Sequence, residues 1–276
     1  MRTLRVRVGH SPDPDDAFMV WALHAGLVRE DDITIELVPK DIESLNQMAL
    51  RGEGPEASAL SMATFARVAD THWLLPHGAS FGDGYGPIVV AREDVDLRRV
   101  AIAAPGEGTT AYATLRMALP GARCVQMPFD EILPAVQQGK AEAGLLIHEG
   151  QITWQREGVR RLLDLGVWWK GETGLPLPLG INALRKDLGP TLGARVNRLL
   201  ARSVEAGLAH RAEALEYARG FGRGLPTQDA DTFVSMYVNA LTRDMGERGR
   251  AAVAEWLRRA ADAGLVPRGA RVEMAP

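Results

Sequence analysis

The chain has 276 residues, enough to bury a sizeable core and to divide into two lobes. Its formal net charge of −3 excludes bulk attraction to nucleic acid or to an anionic membrane, and its one cysteine, Cys124, excludes an intrachain disulfide and a thiolate metal cluster. No apolar run approaches the length of a membrane span, and residues 1–8 alternate apolar and charged like a strand rather than a signal peptide, so the expected location is the cytoplasm.

Leu4, Val6 and Val8 form the inner face of a first strand that ends at Gly9-His10-Ser11. Pro12-Asp13-Pro14-Asp15-Asp16 cannot continue it and makes a tight loop. Asp15 or Asp16 can then cap a helix carrying Phe18, Trp21, Ala22 and Leu27. A loop that leaves a first strand for a helix is a common ligand position. Ser11 and Asp16 are therefore binding candidates, against the plainer reading that the aspartates only cap and turn.

Residues 33–38 alternate as a second strand, and residues 41–50 form a helix with Ile42, Leu45, Met48 and Ala49 on one face. Gly52 and Pro55 break it, and residues 57–62 follow as a short buried strand holding Ser61. Residues 74–80 are expected to form another strand. The glycine-rich stretch 81–87 lacks the lysine of a P-loop and the context of a dinucleotide fingerprint, so it reads as a loop. It leads into residues 88–91, a strand crossing into a second lobe.

Residues 100–103 open that lobe and run into Pro105-Gly106-Glu107-Gly108-Thr109-Thr110. Two threonines at a helix N-terminus, with free N–H groups beside them, make a seat for a carboxylate; the plainer reading is an ordinary N-cap. After a strand at 123–127, Asp130 can cap a short helix with Pro134 late in its first turn and Gly139 at its stop. In the stretch 141–150 a buried strand, with Leu145-Leu146-Ile147 in a row, then delivers His148 to its carboxyl end, where open α/β sheets hold ligands. An imidazole there titrates near neutrality and can take a proton from a substrate, unless it is simply a hydrogen-bonded core histidine.

Residues 41–62 and 130–148 share one plan: acidic start, helix, glycine, small-residue strand, polar end. This weak repeat implies two similar lobes, with Ser61 and His148 facing each other across the cleft between them. No Gly-x-Ser-x-Gly elbow is present, so Ser61 is read as a hydrogen-bonding group for substrate. Residues 162–166 are expected to return the chain toward the first lobe. Trp168-Trp169 and the Pro-alternating leucines of 175–180 then make a rigid connector, or wall the cleft. Later helical stripes (Leu192 to Leu208; Phe233, Met236, Tyr237 and Leu241; Val253 to Ala260) are read as core without chemistry, and the tail after Gly264 as loose. The six histidines show no ligand spacing, so no metal is expected.

Several motifs recur in order. Ser11-Pro12-x-Pro14-x-Asp16-x-Phe18, Glu43-x-Leu45-Asn46, Leu60-Ser61 and Gly86-Pro87-x-Val89-Val90-Ala91-Arg92 are followed by Thr109-Thr110-Ala111-Tyr112 and Ile132-Leu133-Pro134. Gly144-Leu145-x-Ile147-His148-Glu149 comes next, and then Trp168-Trp169 leading to Thr173-Gly174-Leu175-Pro176-Leu177-Pro178-Leu179-Gly180. This ordered set resembles the 1,4-dihydroxy-6-naphthoate synthases of the futalosine route to menaquinone, over most of the chain. The resemblance implies an α/β, two-lobed, type-II periplasmic-binding-protein-like fold with a cleft between the lobes. Residues 1–91 with 175–276 would make lobe one, and 92–174 lobe two. It implies a lyase that cleaves cyclic dehypoxanthine futalosine without a cofactor, with His148 as general base and Asn46, Ser61, Thr109 and Thr110 lining the ligand site. The partner is then a small-molecule carboxylate substrate, with no nucleic acid or membrane, and a homodimer is left open. The first loop departs from the family's frequent Cys-Pro-Asn-Asp-Thr: here it reads Asp13-Pro14-Asp15-Asp16-Ala17, so position 17 has no hydroxyl for substrate. The alternatives are a chorismate dehydratase of the same pathway and a non-catalytic cytosolic carboxylate-binding module.

Overall fold

Two mixed β-sheets organise the chain, which a computed structural model describes over residues 3–222 and 225–276. Met1 and Arg2, where the first strand pattern opens, lie outside the described residues. The first sheet has the order β2 (Ile33–Pro39), β1 (Leu4–His10), β3 (Ala57–Ser61), β11 (Leu177–Arg185), β4 (His72–Leu74), and β5 (Ser80–Gly82) also pairs with β11. β1 runs parallel to β2 and β3, and β11 runs antiparallel to β3. The second sheet has the order β10 (Arg160–Asp164), β6 (Ile88–Ala91), β9 (Ala143–Leu146), β7 (Ala101–Ala104), β8 (Arg123–Gln126). There β7 runs parallel to β8 and β9, and β6 antiparallel to β9.

Set side by side, β2-β1-β3-β11 and β8-β7-β9-β6 have the same order and the same strand directions. Helix α2 (Ile42–Leu50) enters β3 as α5 (Phe129–Gln137) enters β9. The repeat read from two short segments therefore extends through the α/β core of each half. In both halves the central strands are buried on both faces, which is why they read as small and apolar rather than alternating. Gly144 is required by this packing. A Cβ there would sit 2.5 Å from Ile132 Cγ2 and 2.9 Å from Val136 Cγ2, so α5 lies directly on β9.

One apolar cluster joins the halves, running from Leu45 and Phe65 through Leu145 to Trp169 and Trp256. A second, around Phe18, Val6, Leu184 and Leu199, packs α1 (Pro14–His24) and α8 (Gly189–Ala209) on the first sheet. Helix α12 (Gly246–Asp262) ties back to the second half, where Trp256 Nε1 donates to Thr114 Oγ1 of α4 (Thr110–Ala118) at 3.1 Å. Among the described residues no helix is long and apolar enough to cross a membrane.

Several local expectations are corrected. Helix α1 starts at Pro14, with Asp13 at the N-cap position. Asp15 and Asp16 thus lie inside the first turn, where proline's preset φ favours nucleation, and the helix stops before the exposed Leu27. Helix α5 starts at Phe129 after Pro128, so Asp130 is in its first turn and Pro134 is interior. The strand expected at 74–80 is two short ones, because Pro76 and Gly78 (φ 73°) break it. β6 belongs wholly to the second sheet, so the crossing precedes it. Residues 160–164 do not return to the first half: β10 is the edge of the second sheet. Asp164 then caps α7 (Leu165–Thr173), accepting from the N–H of Gly166 and Val167 at 3.0 Å each. Trp169 is fully buried and donates to Pro176 O at 3.1 Å; neither tryptophan reaches the cleft. The Pro-Leu stretch is the start of β11, with Pro178 at a register irregularity. The tail is not loose, since Leu74 exchanges backbone hydrogen bonds with Glu273 and Ala275 at 2.8 and 2.9 Å.

Candidate active site

The carboxyl ends of β1, β3, β7 and β9 converge on one cavity between the sheets. Parallel strands present their loops and helix N-termini at this end, so the placement follows from topology. Ile42, Pro87, Ile147, Leu179, Ile181 and Phe233 give it apolar walls, suited to a flat hydrophobic ligand anchored by few polar groups.

His148 stands two residues past β9. Its φ of 53° makes it the one non-glycine residue with positive φ among the described residues, a conformation that costs energy and turns the chain sharply. The turn aims the imidazole across the cleft at the loop after β1. Nδ1 lies 2.9 Å from Asp13 Oδ2, and Asp13 is 1% exposed. Ser11 Oγ donates to that same oxygen through a short hydrogen bond. Phe129 packs edge-on to the ring at 4.8 Å. The other nitrogen, Nε2, is buried and has no hydrogen-bond partner among the described residues.

Burial by itself would lower the imidazole's pKa. The charge and hydrogen bond of Asp13, with Glu149 and Asp15 behind it, outweigh burial and carry it up to about 9. The expected titration near neutrality is therefore corrected: at neutral pH the resting site holds an imidazolium against a carboxylate. Beside this pair, burial and then the charge of Asp13 push Asp15 up to about 6. Burial and then Asp15 push Asp16 well above the carboxylate range, although Asp16 accepts the Ser11 N–H at 2.6 Å.

Ser61 ends β3 on the cavity wall. Asn46, fully buried on α2, donates to Ser61 Oγ at 3.0 Å and accepts the Ser61 N–H at 2.9 Å. Asn46 thus supports Ser61 from behind the wall rather than lining it. Thr109 caps α4 in the plain sense: its hydroxyl accepts from Tyr112 N–H at 3.2 Å and donates to Gly106 O at 2.8 Å. Thr110 Oγ1 donates to Leu179 O at 2.6 Å, tying the second half to β11. Both hydroxyl protons are thereby engaged. What remains for an anion is the N–H of Thr110 and of Ala111, which have no acceptor among the described residues.

Two further groups enter from helices read as core. Tyr237, on α10 (Thr227–Tyr237), has its hydroxyl hydrogen-bonded to the side-chain amide of Gln151 on α6 (Gly150–Thr153). In the orientation that pairs both ends of the amide, the Gln151 nitrogen donates to the Tyr237 oxygen and to Gly86 O at 2.6 Å, and its oxygen accepts the His148 N–H at 3.1 Å, bracing the left-handed turn. Burial, then Tyr85 and Asp15, push the Tyr237 phenol well above its ordinary pKa, so it stays a neutral donor. Among the described residues no group of three or more His, Cys, Asp or Glu is disposed to hold a metal.

A family model described as "Menaquinone biosynthesis" matches residues 6–262. The chain belongs to this menaquinone-biosynthesis family. It is 42% identical over 261 residues to a Thermus thermophilus protein named 1,4-dihydroxy-6-naphtoate synthase, covering 94% of this chain and 95% of that one. A Streptomyces coelicolor protein of the same name is 39% identical, with 95% of each chain covered. A crystal structure of an Archaeoglobus fulgidus protein superposes with a TM-score of 0.91 at 42% identity, over 95% of this chain and 98% of that one. The periplasmic aliphatic sulphonate binding protein of Escherichia coli, at 16% identity and a TM-score of 0.67 over 96% and 89%, shares the fold alone. The fold is the two-lobed, periplasmic-binding-protein-like one that the resemblance implies.

Of the residues named from sequence, Ser11, Asp16, Ser61, Thr109, Thr110 and His148 all line the cavity. Asp13, Asp15, Gln151, Phe233 and Tyr237 line it too and were missed as binding residues. A signal for Asp13 lies in the sequence: it stands where the first loop of the family frequently has cysteine, so the loop departs there as well as at Ala17. Nothing local could have marked Tyr237, whose stripe is indistinguishable from core.

Proposed function

We propose that this cavity performs a carbon–carbon lyase reaction, cleaving cyclic dehypoxanthine futalosine to 1,4-dihydroxy-6-naphthoate without a cofactor. The names of the two relatives support the product. The apolar walls suit a bicyclic aromatic, and the N–H pair at the start of α4 with Ser61 suits a carboxylate and hydroxyls. The observation that carries the reading is the buried, unpartnered Nε2 of His148 in the wall of the cavity. A ring nitrogen with no protein partner, held in a strained turn, is arranged to exchange a proton with a ligand.

His148 acts as the general base. With its pKa near 9, about 1% of it is neutral at pH 7, so kcat/KM rises roughly tenfold per pH unit toward 9. Purified protein is incubated separately with cyclic dehypoxanthine futalosine and with chorismate, and products are followed by mass. Dihydroxynaphthoate from the first, lost in His148→Asn, supports the proposal. Turnover of chorismate alone, or of neither, overturns it. A rate that is flat to pH 8 and falls above 9 assigns His148 as acid instead.

A further inference from the structure

Asp13 occupies the N-cap position of α1, where an aspartate ordinarily accepts from the helix's own N–H groups, yet its side chain makes no capping hydrogen bond. Its carboxylate is turned away from the helix toward the second lobe and meets His148 Nδ1 at 2.9 Å. Ser11 Oγ donates to the same carboxylate oxygen, which fixes that orientation. Both partners are enclosed, with side-chain exposures of 1% for Asp13 and 15% for His148. The residual Nε2 has no partner among the described residues.

We propose that Asp13 is the positioning residue of His148. Its carboxylate holds the proton on Nδ1, so Nε2 is the one ring atom that takes a proton from the substrate and gives it up again. The inference rests on the reading of His148 as the proton-exchanging group. It adds a reason for the ring's tautomer, its direction and the pH at which it works. Asp13 follows β1 of the first sheet and His148 follows β9 of the second, so any separation of the lobes breaks the pair. The base is oriented only when the cleft is closed. The other titratable groups facing the ring are Asp15 and Asp16 from the first turn of α1, Glu149 on the ring's own turn, and Tyr237 from α10. Of these, Asp13 is the one that hydrogen-bonds the imidazole.

The test is a nitrogen-15 NMR titration of the histidine rings in the full chain, with His148 assigned by its loss in His148→Asn. In the native protein the neutral ring is expected to carry its proton on Nδ1, with a midpoint near 9. In Asp13→Asn the charge is gone while burial remains, so the midpoint is expected to fall to about 6.5 or below. The acid limb of kcat/KM moves down with it, and kcat falls on the order of 100-fold or more, with KM changing less, because an amide can also present a donor and stabilise the wrong tautomer. A midpoint in Asp13→Asn equal to the native one overturns the proposal. So does a native neutral ring protonated on Nε2, a measurement that needs no variant to fold. A normal spectrum without turnover of cyclic dehypoxanthine futalosine sinks the lyase reading and leaves the pair intact; normal turnover with an unshifted midpoint does the reverse.

Discussion

The Asp13–His148 pair should make the protein's stability depend on pH in a specific window. The imidazole's pKa rises from 6.5 unfolded to about 9 folded, so the native state holds this proton more tightly. The contribution is therefore complete below pH 6.5 and is lost as pH rises through 9. A shift of about 2.5 units corresponds to about 3 kcal/mol. For a chain of this size that is roughly 6 °C in Tm. Asp15 loses its contribution between pH 3.8 and about 6, and Asp16, raised further, loses its own at higher pH; both carboxyls face the imidazole, so the pH response belongs to the cluster that His148 holds together. The assay is calorimetry of the native protein and of His148→Asn at pH 6, 7.5 and 9.5 and constant ionic strength. Asparagine tolerates the left-handed φ at 148, so the variant removes the imidazole's charge without adding backbone strain. The native protein should lose roughly 6 °C more than the variant between the first and last pH. Parallel slopes would refute the argument, since they would show that His148 has the same proton affinity folded and unfolded.

Other substitutions probe the supports of the site. Asn46→Ala removes both partners of Ser61 and leaves a buried N–H unpaired, at a cost of about 2–3 kcal/mol in urea unfolding; Ser61→Ala keeps that bond and costs about 1. The reverse order would mean Asn46 is not the brace. Gly144→Ala forces a methyl against Ile132 and Val136 and should cost about 1–3 kcal/mol, whereas an unchanged urea midpoint would show that α5 can yield. Tyr237→Phe leaves the fold intact and lowers kcat/KM by about tenfold through loss of the hydroxyl beside Gln151. An unchanged kcat/KM would reduce Tyr237 to a wall.

Much of the site was legible because local chemistry and topology agree at strand ends. Small apolar runs stopping at Ser61 and near His148, and a glycine loop stopping at Thr109, mark the carboxyl ends of buried parallel strands, where ligands must bind. Roles were less legible than places. Thr109 and Thr110 line the cavity, but their hydroxyls are engaged by Gly106 and Leu179, a fact that depends on where β11 passes. The segments 162–166 and 175–180 take places other than the expected return and connector for a related reason. Their patterns identify strands or connectors, and only pairing decides which sheet takes them.

The sequence by itself determined the repeat, the strand ends and the family, because these follow from short-range pattern and from motifs in order. Tertiary structure alone decided which groups meet. Asp13 and His148 are 135 positions apart on different sheets, and their proton affinity exists only once burial and charge act together at 2.9 Å. Tyr237 became a site residue because α10 closes over the second lobe's turn. Local pattern records what a segment must bury; it does not record what the rest of the chain brings beside it.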